Sequence, residues 1–198
     1  MALKSKKNKR EERRKEIMMI AAKLFAHKGY ADASLSDVAA QMDISKAALY
    51  HYIQSKEAML QEICNGLLDA QIKETKRLQK SNLSPKDKLR WFVRGVVRGA
   101  TKDRDVMHVY FEDTNSLSAD ARDKVRKQKK AFDKVLGLIL KEGVEKGYVN
   151  LRDIKMAVFV IQGACIFGYQ WYQPNGRLSP EEIAEEIIYL LERLPATE

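Results

Sequence analysis

The chain has 198 residues, 45% of them hydrophobic, enough to bury a real core in one small unit and one larger one. Four prolines and ten glycines leave little room for a turn-rich β-fold, and the two distant cysteines, Cys64 and Cys165, support neither a disulfide framework nor a zinc site. Of the net charge of +9, residues 1–56 carry +6, from twelve Lys/Arg against six Asp/Glu, so the basic excess sits at the N-terminal end, as phosphate attraction would require.

Residues 1–15 form a basic leader with Lys4, Lys6, Lys7, Lys9, Arg10, Arg13 and Arg14. It reads either as a solvated tail without fixed structure or as an arm that follows phosphates or the minor groove. No apolar h-region occurs in it, so no secretory signal is expected.

Residues 34–59, SLSDVAAQMDISKAALYHYIQSKEAM, read as a helix-turn-helix followed by the start of a third helix. Ser34 is placed to cap the first helix, and Asp37 can reach back as the second half of a capping box. Leu35, Val38, Ala39 and Met42 fall at i, i+3, i+4 and i+7, one inward stripe. Ser45 caps the second helix, with Ile44 and Leu49 spaced as a hydrophobic staple. Leu49 and Ile53 face inward, which turns Lys46, Ala47, Tyr50 and His51 outward as the set that would enter a major groove. Ser55 caps a third helix whose first residue is Lys56, so a helix N-terminus and a cation are presented together, an arrangement suited to a backbone phosphate.

From about Arg14 to Leu60, through AAKLFAHKGY and SKAALYHYIQSKEAML, the chain resembles the DNA-binding domain of the TetR/AcrR family of bacterial repressors. Two positions depart from the family pattern. Asp43 stands where a turn glycine is usual, which is tolerable because Asp adopts the left-handed conformation at modest cost. Ala33 stands where a threonine is common, leaving Ser34 to carry any phosphate contact there. In this reading Lys46, Ala47, Tyr50 and His51 approach bases, while Ser34, Ser45, Tyr52 and Lys56 fix position on phosphates of a palindromic double-stranded operator.

Beyond residue 60 the periodicity stays helical. A long helix is expected from Ser55 to about Lys80; Ser84 and Pro85 start the next, carrying Leu89, Phe92, Val93, Val96 and Val97. Residues 105–113 form a shorter one, and Ser118 opens a long helix that ends near Gly147. Residues 152–171 are nearly all apolar, and the longest apolar run in them, Met156 to Gly168, is too short and too interrupted to span a bilayer. The last helix begins at Ser179-Pro180-Glu181-Glu182, where cap, N1 proline and N3 glutamate coincide, and shows Ile183, Ile187, Leu190, Leu191 and Leu194 as one stripe. The expectation is an all-α protein of about nine helices: leader 1–15, DNA-binding domain 16–60, and a helical effector-binding and dimerisation domain 61–198.

The apolar penultimate segment invites close approach of another backbone at Gly163, Ala164 and Gly168. With Ile183, Ile187 and Leu191 these are the expected homodimer contacts, since a two-fold operator calls for a two-fold protein and the resemblance implies paired C-terminal helices. The resemblance also implies a small-molecule pocket, for which Trp91, Met107, Tyr110, Phe111, Tyr169 and Trp171 are the candidate lining. The stretch FGYQWYQPNGRLSPEEIAEEI resembles the part of the family that responds to acyl-coenzyme A thioesters in fatty-acid, phenylacetate or sterol breakdown. An acyl chain wants an apolar tunnel, and the nucleotide phosphates want cations such as Arg94, Arg98, Lys102, Arg104 or Arg177. A drug-like or other apolar effector needs no cations, and a ligand-independent DNA-binding protein needs no pocket. No catalytic motif, cofactor fingerprint or metal-ligand spacing is present, so an enzyme is not expected; a cytoplasmic DNA-binding regulator is.

Overall fold

The computed structural model describes residues 2–193, with side chains from Asn8 onward. The side chains of Lys4, Lys6 and Lys7, and Leu194 of the last expected stripe, lie outside the described residues. Among these residues the chain is all-α, with no strand. The helices are α1 (Ala2–Lys28), α2 (Leu35–Gln41), α3 (Lys46–Tyr50), α4 (Lys56–Gln79), α5 (Pro85–Lys102), α6 (Arg104–Asp113), α7 (Ala119–Glu145), α8 (Ile154–Ile166), α9 (Gly168–Trp171) and α10 (Pro180–Glu192). The last apolar segment is interrupted at Phe167 into α8 and the four-residue α9; counted as one, it gives the nine helices expected.

The helices gather into two compact units. The first comprises residues up to Leu67 together with Asp105–Val125. Its α1 begins at Ala2, so the basic leader is the start of a helix and not a tail without structure. The reason is local: residues 2–16 contain no Gly or Pro, and Arg13 and Glu16 form an i, i+3 ion pair at 2.7 Å. Ile17, Ala21, Ala22 and Phe25 bury the inner face of α1. Gly29 ends it with φ +87°, its N–H donating to the Phe25 carbonyl at 3.0 Å, a left-handed cap that glycine adopts without strain.

Both helix-turn-helix caps form. Asp37 N–H donates to Ser34 Oγ at 3.2 Å, and Asp37 Oδ2 accepts from the Ser34 N–H and hydroxyl, each at 2.8 Å, completing the capping box. Lys28 Nζ adds a third donor to that carboxylate at 2.8 Å. Asp43 takes φ +52°, the left-handed turn position where the family favours glycine. Ser45 Oγ then accepts from Ala48 N–H at 3.0 Å and starts α3, which buries Leu49, with Ile53 buried just beyond its end. At the far side of this unit, Glu57 Oε1 accepts from the Ser118 N–H at 2.9 Å, at the entry of α7.

The second unit holds Leu68–Arg104 and the chain from Arg126 on. Its core gathers Phe92, Val93 and Val97 of α5, Leu136 and Leu140 of α7, and Ile161 of α8, closed by Ile183, Ala184 and Ile188 of α10. Phe92 and Phe132 stack at 5.5 Å. α10 packs chiefly on α5, and its entry is fixed by the expected capping box: Glu182 N–H donates to Ser179 Oγ at 3.2 Å while Glu182 Oε2 accepts from Ser179. Ion pairs tie the same two helices: Arg90 is bidentate to Glu192 at 2.6 and 2.9 Å, and Arg94 reaches Glu185 at 2.6 Å. Lys88, buried, donates to Glu142 of α7 at 2.8 Å. Desolvation pushes the Cys64 thiol up to about 11 and the Cys165 thiol to about 12, which makes both poor nucleophiles.

The Lys28 ammonium, then the Ser34 hydroxyl and N–H, hold the Asp37 carboxyl down to about 2. A carboxyl whose folded value lies below its unfolded one stabilises the fold above the unfolded value, and that contribution is lost as pH falls through the folded value. Denaturant unfolding of the wild type and of Asp37→Asn should therefore differ in stability at neutral pH and converge as pH falls from about 4 to about 2.

Candidate DNA-reading surface

α3 has five residues, and its geometry decides which side chains it can offer. Leu49 is fully buried, which leaves Lys46, Ala47 and Tyr50 exposed on the opposite side, joined by His51 at the helix end. Tyr50 is 49% exposed, unusually open for an aromatic ring. The four residues read from the sequence as an outward set are thus brought together on one face. Ser34 and Ser45 are exposed beside their helix starts, with their hydroxyls engaged in the caps, and Tyr52 is half-buried behind α3.

Lys56 has partners that the sequence did not announce. Its ammonium donates to the carbonyls of Ala31 at 3.0 Å and Ala33 at 2.8 Å, and lies 4.3 Å from the centre of the Tyr30 ring. It holds the 30–33 loop against the start of α4, next to the Ser34 cap. Sequence reasoning named the arginines of α1 in the leader but missed their partners. Arg10 Nη2 donates to the His51 carbonyl at 3.0 Å, Arg13 Nη2 to the Met42 carbonyl at 3.1 Å, and Arg14 is bidentate to Glu62 of α4. Their i, i+3, i+4 spacing was visible; carbonyl partners 29 and 41 residues away leave no mark in a sequence. Arg10, Arg14, Tyr50, His51, Tyr52 and Glu62 border a polar cleft of about 390 Å³ at the C-terminal end of α3.

The expected effector residues are distributed over both units. In the first unit Met107 is buried, Tyr110 half-buried and Phe111 exposed, with the two rings edge to face at 5.0 Å. In the second, Tyr169 is buried, its carbonyl accepting from Arg104 at 2.9 Å, while Trp91 and Trp171 are exposed. Arg94 is paired with Glu185, and Arg98 lies 3.5 Å from Glu181, so two of the cations expected to meet phosphates face α10 carboxylates instead. Among the described residues no group of three or more His, Cys, Asp or Glu could hold a metal ion.

The expected dimer residues differ in how much of them the protomer itself buries. Gly168 is buried, and a Cβ there would meet Thr101 Cγ2 of α5 at 3.6 Å; Ile183 is a core residue; Ile187 and Leu191 pack half-buried against the same core. Because α10 docks on α5 through this stripe, Gly163 and Ala164 are the two of the six that stay exposed. Other apolar residues are exposed, among them Met156, Phe159 and Val160 along one side of α8, Phe167 at its end, and Tyr189 and Leu190 on α10. By length and composition the stretch Ile154–Trp171, with mean hydropathy 1.2 over 18 residues, is apolar enough to cross a membrane. It is broken at Phe167, however, and the 13 residues of α8 rise only about 20 Å.

Residues 17–63 match the family described as "Bacterial regulatory proteins, tetR family", and residues 82–194 match "Tetracyclin repressor-like, C-terminal domain". The HTH-type transcriptional repressor KstR2 of Mycolicibacterium smegmatis is 27% identical over 182 residues, covering 90% of this chain and 88% of the relative. Among solved structures, the TetR family transcriptional regulator PfmR of Thermus thermophilus superposes with a TM-score of 0.82 at 30% identity, covering 89% of this chain and 97% of that one. AibR, in complex with isovaleryl coenzyme A and operator DNA, superposes with a TM-score of 0.80 at 27% identity, covering 90% and 97%. With a capped helix-turn-helix, a helical C-terminal unit and family matches over both, the chain belongs to the TetR family of bacterial transcriptional regulators, DNA-binding proteins and not enzymes.

Proposed function

We propose that the protein is a homodimeric repressor that reads a two-fold operator through α3 and is released by a small-molecule effector, with 16–60 as the DNA-binding domain and 61–198 as the effector and dimerisation domain. The observation that carries the reading is the open face of Lys46, Ala47, Tyr50 and His51 on a helix whose opposite side is fully buried. Such a helix offers donors, an acceptor and a ring to base edges, while the Ser34 and Ser45 helix entries lie toward the phosphates. A cytoplasmic location fits a DNA-binding protein whose two thiols are free and buried.

The α8 and α10 stripe supports pairing with a second copy there. Val160 is 61% exposed, Phe167 62% and Leu190 64%, and a contiguous apolar patch of this kind marks a protein contact. The exposed, side-chain-free Gly163 lies in the middle of it. Pairing through this patch joins two heads about a two-fold axis, which is the symmetry of a palindromic site.

For the effector, an acyl-coenzyme A thioester is favoured by the likeness to AibR, whose structure holds isovaleryl coenzyme A. Lys102 and Arg177 are exposed and available to phosphates. A second reading, an apolar effector without phosphates, is favoured by the pairing of Arg94 and Arg98 with α10 carboxylates, because a nucleotide would have to compete with Glu185 and Glu181. Release by ligand is reciprocal: an effector that lowers DNA affinity is itself bound less tightly by the DNA complex.

Two outcomes follow. Acyl-coenzyme A at about a hundred times its dissociation constant should raise the unfolding midpoint by roughly 5–10 °C and dissociate labelled operator in fluorescence anisotropy, with free coenzyme A much weaker; stabilisation by hydrophobic cations alone would favour the second reading. Val160→Asp with Leu190→Asp should sediment as a folded monomer, whereas Ile183→Asp should unfold the second unit; a persistent dimer in the first variant would move the interface elsewhere.

A further inference from the structure

We infer that Arg10 and Arg13 are positioning residues for DNA reading: from α1 they grip the C-terminal ends of α3 and α2 through backbone carbonyls, and set the pose of the reading face without contacting DNA. The inference rests on α3 being that face. Met42, which accepts from Arg13, is the C-cap of α2 and directly precedes the left-handed Asp43 of the turn. His51, which accepts from Arg10, is the C-cap of α3 and itself one of the outward set. The last carbonyls of a helix lack intrahelical donors and carry the negative end of its dipole, so a guanidinium is the matched partner at both places.

The geometry is specific to these two arginines. They lie three residues apart on α1 and so share one side of it. Arg13 is held from behind as well, with Nη1 on Glu16 Oε2 at 2.7 Å while Nη2 reaches Met42, so its planar fork bridges two fixed acceptors. Arg14, the neighbour, points instead to Glu62 and ties α1 to α4. The segment between Ser34 and His51 is therefore fastened at four points: serine caps at its two helix starts and arginines at its two helix ends. The basic leader, which reads as a solvated tail or a DNA arm, is at these positions part of the scaffold that aims α3.

The test uses the full-length protein and an operator selected in vitro from a random duplex pool by the wild type. Arg10→Ala and Arg13→Ala should each weaken operator binding about tenfold, leave binding to a random duplex nearly unchanged, and leave the dependence of log affinity on log salt unaltered. A direct phosphate contact would weaken both duplexes alike and lower the salt slope by about one per arginine, which would overturn the inference, as would unchanged operator affinity. Circular dichroism checks that the variants fold; should Arg13→Ala fail to do so, Arg10→Ala carries the same comparison, since its bond lies at the surface. A wild type that enriches no sequence would instead sink the assignment of α3 as the reading face, and this inference with it.

Discussion

A five-residue helix cannot stand by itself. Nucleation fixes several backbone dihedrals before many hydrogen bonds return, and isolated helices several times longer than α3 are only marginal in water. Everything about the first unit follows from keeping those five residues in place with their outer side bare. Leu49 and Ile53 anchor the inner side, and Ser45 supplies the acceptor that the free N–H groups of the helix start lack. The Asp43 turn at φ +52° lets the chain change direction within the short connection 42–45 between α2 and α3. Lys56 ties down the loop before α2 by two carbonyls, and the capping box of Ser34 and Asp37, reinforced by Lys28, fixes where α2 begins. These contacts are concentrated on the hidden side, and the open side keeps its donors and its tyrosine ring exposed.

The second unit solves a different problem, that of burying one helix face while leaving another apolar face exposed. α10 is held on α5 by Ile183, Ala184 and Ile188 within the core and by charge pairs at its edge. The edge pairs repeat: Arg90, Arg94 and Arg98, four residues apart on α5, meet Glu192, Glu185 and Glu181 in reverse order along α10, as antiparallel helices require. Exposed pairs of this sort contribute little each, so the apolar contacts supply the stability and the charges fix the register. The Glu192 carboxyl is the best supported of them, held down to about 2 chiefly by Arg90 and also by the Tyr148 hydroxyl. With α10 thus oriented, Leu190 and Tyr189 turn outward, exposed as the α8 stripe is.

Local signals in the sequence were the legible ones. The caps at Ser34, Ser45, Ser84 and Ser179 are short-range patterns between a hydroxyl and an amide three residues on, and each forms. The outward set on α3 followed from a single buried residue and helical spacing. What stayed hidden was long-range. The Ile183, Ile187, Leu191 stripe was visible, but a stripe does not say whether its partner belongs to the same protomer, and here α5 takes it. Lys56 looked like a phosphate ligand because its position at the start of α4 suits one, and nothing local pointed to carbonyls more than twenty residues earlier. The leader looked like a tail because charge runs usually are, although its freedom from Gly and Pro already permitted a helix.

The claim that the open face of α3 reads base edges is tested most directly by comparing the duplexes enriched in vitro by the wild type with those enriched by Lys46→Ala and by Tyr50→Ala. The account predicts a two-fold symmetric wild-type motif, with each variant relaxing preference at its own position in both half-sites while the remaining positions hold. Variants that keep the full wild-type motif, or that lose affinity equally for every sequence, would contradict it.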